Sequence, residues 1–450
     1  MSKTILMIGA FDSKGQEFAF LREQILARGH SVITVNTAIL DTWRFAGEII
    51  PVPDRFPVDI GPEEIAKAGG GDLDAMREKR DRLAATKIMA KGLPAVVRSL
   101  YEEGRFDGIV GGGGSQGTFM ATTAMRALPF GVPKVCVSIY LSKYLSKGKL
   151  PDLGPFLESK DITMIPSIVD VKGMNRVTRT VLSRAAGAIC GMVETPPLAA
   201  YEDKTSIHIT GRRANNSTFT CTCACEKSLY DKGYDVHVHH ADGIGGKLME
   251  ILVSEGVVDA VLDIATTELA NNICGGDYDA GPGRLSAPGK MGIPHLIVPG
   301  CVDMVSFEVP ETIPQKYKDA GRKFYKPPFK PGDWYTQMKE PIKVVDSGVP
   351  GETLMRTNAE ENKKLGELFS ERANAAKGPV AFLLPLKGLS IFGGDGGPLC
   401  DREADGALVD AIKANVREDI PVVELENNIN DPGFSAKAVE MMLKLISKKK

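Results

Sequence analysis

No stretch of about 18 consecutive apolar residues occurs in the 450 residues, which argues against a membrane-spanning helix. A charge excess is missing too. Lys plus Arg total 55 against 57 Asp plus Glu, a formal net charge of −2, so no global basic surface exists to hold a phosphate backbone and a nucleic-acid partner is not expected. Cysteine is scarce. Eight residues in a chain this long do not make a secreted disulfide framework, and Cys136, Cys190 and Cys301 sit in apolar or strand-like runs, as reduced buried thiols do. The first eight residues enter a strand-like run without the apolar stretch and cleavage site of a secretory signal. These absences together lead us to expect a cytosolic protein.

What is present is a globular balance, 43% apolar and 25% charged, in a chain long enough for two domains. The order of elements repeats. Thr4 to Ile8 reads as a strand buried on both faces, Gly9 to Gly15 as a turn, and Phe18, Leu21, Ile25 and Leu26 as one face of a helix. A strand at 31–36 completes a βαβ unit, which calls for a parallel sheet. Strand 108–110, a glycine loop at 111–117, a helix to Leu128 and strand 134–138 follow. The second half offers strand 206–210, a helix at 219–231, strand 235–239, a glycine turn at 241–246 and a helix at 247–255. Glu103-Gly104 with Asp107 answers Glu255-Gly256 with Asp259, so an internal duplication is expected. The fold expected is α/β, with two Rossmann-like lobes of mostly parallel sheet at residues 1–195 and 196–450. The segment Val177 to Met192 reads as a helix able to connect them. Residues 41–75 and 308–350, rich in proline, read as irregular excursions.

Candidate chemistry clusters after strands. Gly111-Gly112-Gly113-Gly114-Ser115-Gln116-Gly117-Thr118 lies between a strand and a helix. Glycines admit close backbone approach, a helix start favours an anion, and Ser115, Gln116 and Thr118 add neutral donors, so phosphate or carboxylate binding competes with a merely permissive turn. Gly9 to Gly15 is neither a GxGxxG fingerprint nor a Walker A loop. It could line the same cleft, with Asp12 as metal ligand or base, Ser13 as a hydroxyl and Lys14 as a phosphate cation, or be a surface turn. In the second half, Asp242 with Gly245 and Gly246, then Thr266, Thr267 and Glu268, then Cys301 and Asp303, with Arg213 and His240, could converge into a polar site. Glu268, Asp242, Cys301 and Asp303 are the candidate catalytic groups there. Arg213, Gly245, Gly246, Thr266, Thr267 and Lys387 are the candidate substrate ligands, with Ser390 beside Lys387. The alternative is a vestigial lobe whose glycines only turn the chain. His237, His239 and His240 cannot share one strand face, and Cys221, Cys223 and Cys225 fall on a predicted helix, so no resident protein metal site is expected.

Gly9 to Gly15, Gly111 to Thr118, Ser167-Ile168-Val169-Asp170, Ala241 to Gly246, Thr266 to Leu269, Ala280 to Leu285, Pro299 to Met304 and Pro385 to Gly388 together resemble the Tm-1-like ATP-binding family, named for the N-terminal domain of a plant tobamovirus-resistance protein. The resemblance implies ATP with Mg²⁺ in the first lobe, held by positions 12–14 and 112–118, and a homodimer. A small acidic metabolite is the candidate partner of the second lobe. Three functions follow as expectations: an ATP-dependent enzyme on such a metabolite, a non-catalytic ATP-regulated dimer that binds a protein, or a keto- or hydroxy-acid enzyme that does not consume ATP.

Overall fold

The computed structural model describes residues 2–39, 44–45, 48–49, 57–79, 81–140, 154–157, 160–196, 204–212, 217–307, 310–327 and 352–449. The chain forms two compact units, Met1–Leu198 and Ala199–Lys450. Each is an α/β unit built on a parallel sheet.

In the first unit, β1 (Thr4–Gly9), β2 (Ser31–Asn36), β3 (Gly108–Gly113), β4 (Lys134–Ser138) and β5 (Thr163–Pro166) lie in the order β2-β1-β3-β4-β5, all parallel. Apolar side chains alternate across this sheet because successive residues point to opposite faces. Ile5, Met7, Val110, Val135 and Val137 pack with α1 (Phe11–Leu26) and α6 (Arg176–Glu194). Leu6, Ile8, Ile109 and Cys136 pack with α2 (Pro62–Ala68), α4 (Arg82–Glu102) and α5 (Ser115–Arg126) on the other face. The segment expected to connect the lobes is therefore α6, a core helix of this unit. Part of the excursion at 41–75 is also ordered, as α2 and α3 (Leu73–Glu78).

The second unit repeats the winding. Its strands β6 (Ser206–Gly211), β7 (Asp235–His240), β8 (Ala260–Ala265), β9 (His295–Gly300), β13 (Val380–Pro385) and β14 (Val422–Leu425) lie in the order β14-β13-β9-β8-β6-β7, all parallel. Renumbered from its own first strand, each sheet begins 2-1-3-4-5, the doubly wound order whose winding reverses between the first and third strands. One face buries Ile207, Ile209, Leu262 and Leu296 under α7 (Phe219–Asp231) and α13 (Pro432–Lys449). The other carries α8 (Ile244–Ser254), α9 (Thr267–Cys274), α10 (Ala287–Met291), α11 (Ala359–Asn374) and α12 (Arg402–Asn415) within this unit. A small antiparallel sheet is added, β10 (Met304–Phe307), β12 (Thr353–Arg356) and β11 (Phe324–Tyr325), in the order β10-β12-β11. Thus part of the stretch expected to be irregular forms a strand; residues 328–351 lie outside those described.

Candidate functional sites in the two units

In the first unit the reversal point lies between β1 and β3. Their register pairs Ile8 with Gly111, so the turn after Gly9 and the turn after Gly113 leave the sheet side by side. The glycines do not act alike. β3 runs through Gly113, so the loop is shorter than 111–117. Gly112, at φ 144°, leaves room for Val137: an added Cβ would lie 1.9 Å from the Val137 carbonyl oxygen. Gly117 makes room for the Gly112 carbonyl in the same way. Packing, not a ligand, requires these two. Gly113 is at φ 129°, and Gly114, the N-cap of α5, would meet nothing within 4 Å. Gly114 offers no side chain to cap the first N–H groups of the helix, which have no intrahelical acceptors.

Around this turn Ser115 is exposed and Gln116 is tied to α4 by Arg82 and Thr86. Thr118 is buried, its hydroxyl 2.9 Å from Ser138 at the end of β4. Asp12, Ser13 and Lys14 fall in the first turn of α1, which is kinked at Lys14 (φ −131°, ψ 22°). All three are half-buried. Next to the strand ends lie two small clefts. One, of about 10 Å³, is lined by Glu17, Phe18, Gly111–Gly113, Val137, Val171 and Leu182; the other, also of about 10 Å³, by Ser167, Val169 and Asp170 among others. Arg82 and Ser138 were missed by sequence reasoning, and Ile168, in the motif at 167–170, is exposed and held at φ 66°. A polar residue ending a buried strand was the available signal for Ser138.

In the second unit the glycine turn already holds an anion, and it belongs to the protein. Gly243 and Gly246 both donate N–H to Oε1 of Glu268 at 3.0 Å, and the Gly245 N–H reaches Asp242 Oδ1 at 3.3 Å. Glu268 Oε2 accepts from Arg284 Nε at 2.5 Å, and Arg284 Nη2 donates to Asp263 Oδ1 at 2.5 Å. His295 Nε2 lies 2.8 Å from Asp263 Oδ2, and Glu250 takes the backbone N–H of Leu285 and Ala287. Arg284, Asp263 and Glu268 are at most 1% exposed. Burial alone would raise the Asp263 carboxyl, yet Arg284 and His295 hold it well below the usual range. Burial outweighs the pull of Arg284 at Glu268 and Glu250, whose carboxyls are pushed up.

This changes several expected roles. Glu268 locks the turn and its arginine, where a free acid or base was expected. Gly245 and Gly246 have their N–H groups in use. Thr266 and Thr267 are buried, and their hydroxyls donate to the carbonyls of Val298 and Met304. Asp242 is exposed and caps its own turn. Lys387 is exposed beside Glu426. Arg213 lies outside the described residues. Cys301 is fully buried at φ 60°, and burial pushes its thiol up, so it is no ready nucleophile. Asp303 is buried as well. Ser390 donates to its Oδ2 at 2.6 Å, and burial pushes its carboxyl up to about 6. Of the histidines, Nδ1 of His208 lies 2.7 Å from Nε2 of His239; burial first, then His239 and His237 at His208, and His237 and Arg284 at His239, push them down to about 3 and about 4.

The residue that sequence reasoning missed is Arg212. It follows β6, is 3% exposed, and pairs with Glu352 and, at 3.0 Å, with Ser306 Oγ. Ser206, His208, Thr210 and Arg212 alternate with Ile207, Ile209 and Gly211, a period of two that could have singled it out.

Comparisons with known proteins add the following. Residues 3–197 match the Uncharacterised protein family (UPF0261) N-terminal domain, and residues 211–330 and 345–446 match its C-terminal domain. A UPF0261 protein of Clostridium tetani is 37% identical over 99% of each chain. The ToMV resistance protein Tm-1(GCR237) of Solanum lycopersicum is 30% identical over 99% of this chain but only 56% of its own length. The UDP-GlcNAc 2-epimerase of Neisseria meningitidis bound to UDP-GlcNAc aligns with 65% of this chain and 82% of its own, at 12% identity and a TM-score of 0.23, too low to build on.

Proposed function

Starting from the fact that the chain belongs to the UPF0261 family, we propose that it is an Mg-ATP-binding protein whose nucleotide lies across the strand-order reversal of the first unit. One observation carries this reading. The β1 and β3 turns leave the sheet side by side at the place where ligands of doubly wound sheets bind, and Gly114 there is open. The resemblance to the Tm-1-like ATP-binding proteins points to the same positions.

The residues present suit the ligand. At the uncapped start of α5, backbone N–H groups and the Ser115 hydroxyl would donate to phosphate oxygens. Lys14 and Arg82 would supply positive charge, and Asp12 is the carboxylate that would meet Mg²⁺, which needs only one or two beside its waters and the phosphates. The apolar cleft lined by Phe18, Val137 and Leu182 excludes water on one side. Mg-ATP bound here supplies an activated phosphoryl group. The reading extends to a cytoplasmic homodimer, tested by sedimentation with and without nucleotide.

Calorimetric titration decides the nucleotide assignment. Gly114→Val, at an ordinary φ of −65° with open space around it, should keep the fold and lose Mg-ATP. Lys14→Ala should weaken ATP more than AMP. Unchanged ATP affinity in both variants would end this reading.

A further inference from the structure

Among the described residues of the first unit, Ile168 is the one with a side chain at positive φ, 66°. It centres a three-residue turn just past β5 that is closed twice. The Val169 N–H donates to the Ser167 carbonyl at 2.7 Å, and Ser167 Oγ donates to the Val169 carbonyl at 2.6 Å. A turn closed over two residues with positive φ at its centre is the rare, strained γ-turn, and a β-branched residue suits it poorly. The side chain held this way is 64% exposed. Strain and exposed apolar surface are both unfavourable, and glycine would make the same turn with neither.

This turn shares a sheet edge with the open glycine turn. Gly113 pairs with Ser138 and Ser138 with Pro166, so the chain leaves β5 two strands from Gly113, about 10 Å away at the usual strand spacing. Hydrogen bonds link the two places. The Ser167 N–H donates to the Ser138 carbonyl at 3.1 Å, Ser138 Oγ lies 2.9 Å from Thr118 Oγ1, and the Thr118 N–H donates to the Gly114 carbonyl at 2.8 Å. The cleft lined by Gly111–Gly113 and the cleft lined by Ser167 also have Val137, Val171 and Leu182 in common. A ligand with its anionic end at Gly114 and a flat, weakly polar end two strands further along would meet Ile168.

We propose that Ile168 is the nucleobase contact of the nucleotide site, its side chain packed on the face of the base while the phosphates lie at the start of α5. The inference rests on the nucleotide reading and adds to it a residue that acts on the base and not on the phosphates. The doubly closed turn keeps the side chain presented before the ligand arrives, so binding bears little cost of ordering it. Strain of this kind persists where the surroundings fix it and where a ligand gains from it.

Titration calorimetry of the full chain compares Mg-ATP with magnesium tripolyphosphate, which has the phosphates and no base, in wild type, Ile168→Gly and Ile168→Val. Wild type should prefer ATP. Ile168→Gly should weaken ATP about tenfold, the order expected for losing much of one isoleucine contact, and leave tripolyphosphate within about twofold. Ile168→Val, which keeps an apolar side chain, should retain most of the ATP affinity. Without ligand, Ile168→Gly should melt no lower than wild type, because the strain is gone. Unchanged ATP affinity in Ile168→Gly, a parallel loss of ATP and tripolyphosphate, or a clearly lower melting temperature overturns this inference and leaves the nucleotide reading standing. Wild type that binds tripolyphosphate as tightly as ATP overturns it in the same way, without any variant. Wild type that binds neither ligand overturns both readings.

Discussion

Glu268→Gln tests whether the second glycine turn is a locked structural device or a free catalytic one. The exchange keeps shape and removes charge. An amide oxygen facing Gly243 and Gly246 could still accept their N–H groups, but its nitrogen would then stand against Arg284 Nε, donor to donor, where 2.5 Å now separates the partners. Turning the amide over moves the conflict onto the glycines. Removing one member of a buried ion pair costs about 3–5 kcal/mol. Asp263 and Glu250 still balance Arg284, which favours the lower end. In a unit of this size each kcal/mol moves Tm by about 2–4 °C, so the second unit should melt roughly 6–12 °C lower. Scanning calorimetry of wild type and variant at neutral pH reads this directly. A carboxyl already protonated in the native protein would behave nearly like glutamine, so a shift below about 2 °C would refute the ion-pair account. Lost turnover at unchanged stability would restore Glu268 as an acid or base.

Three other outcomes follow. Gly112→Ala should destabilise the first unit by several kcal/mol, about 2 or more, because its Cβ meets the Val137 carbonyl, and denaturation that matches wild type would contradict that packing. Asp303, pushed up to about 6 by burial, binds a proton in the folded state where the unfolded chain does not, so its contribution favours the folded state below its ordinary value of 3.8 and is lost as pH rises towards 6. Asp303→Asn should remove this slope, at most about 1.4 kcal/mol per pH unit, and identical pH profiles in urea titrations would contradict the assignment. Native alkylation with iodoacetamide should label Cys223 and Cys400, which are half-buried, long before Cys301, and mass spectrometry finding Cys301 first would restore it as a nucleophile.

Both sheets were legible in the sequence because parallel strands covered on both faces read as apolar runs, as in Ile5 to Ile8 and Val380 to Leu384. The small antiparallel sheet was not, since it joins Met304–Phe307 to Thr353–Arg356 across a proline-rich stretch with no local pairing signal. The turns at strand ends were visible, but not what fills them. Gly246 looks like Gly114 in sequence, and only the fold shows an internal carboxylate at one and open space at the other. A turn pattern gives Arg212 and Arg213 no side-chain direction, whereas strand alternation carried past Gly211 puts Arg212 on the face of Ser206, His208 and Thr210. The apolar face of α6, with Val181, Leu182, Ala185 and Ile189, does not say in the sequence which sheet it covers.

The buried set of Asp263, Arg284, Glu268 and His295 constrains how such a chain can diverge. The members balance one another's charge, with Glu250 also beside Arg284, so a lone replacement leaves a buried charge short of a partner, which is costlier than replacing the whole set with apolar groups. Drift at these positions is therefore epistatic and goes through joint replacement. In a single-site library each member should be destabilising to replace, while combined variants in which all four become apolar should recover part of the stability that the single steps lose.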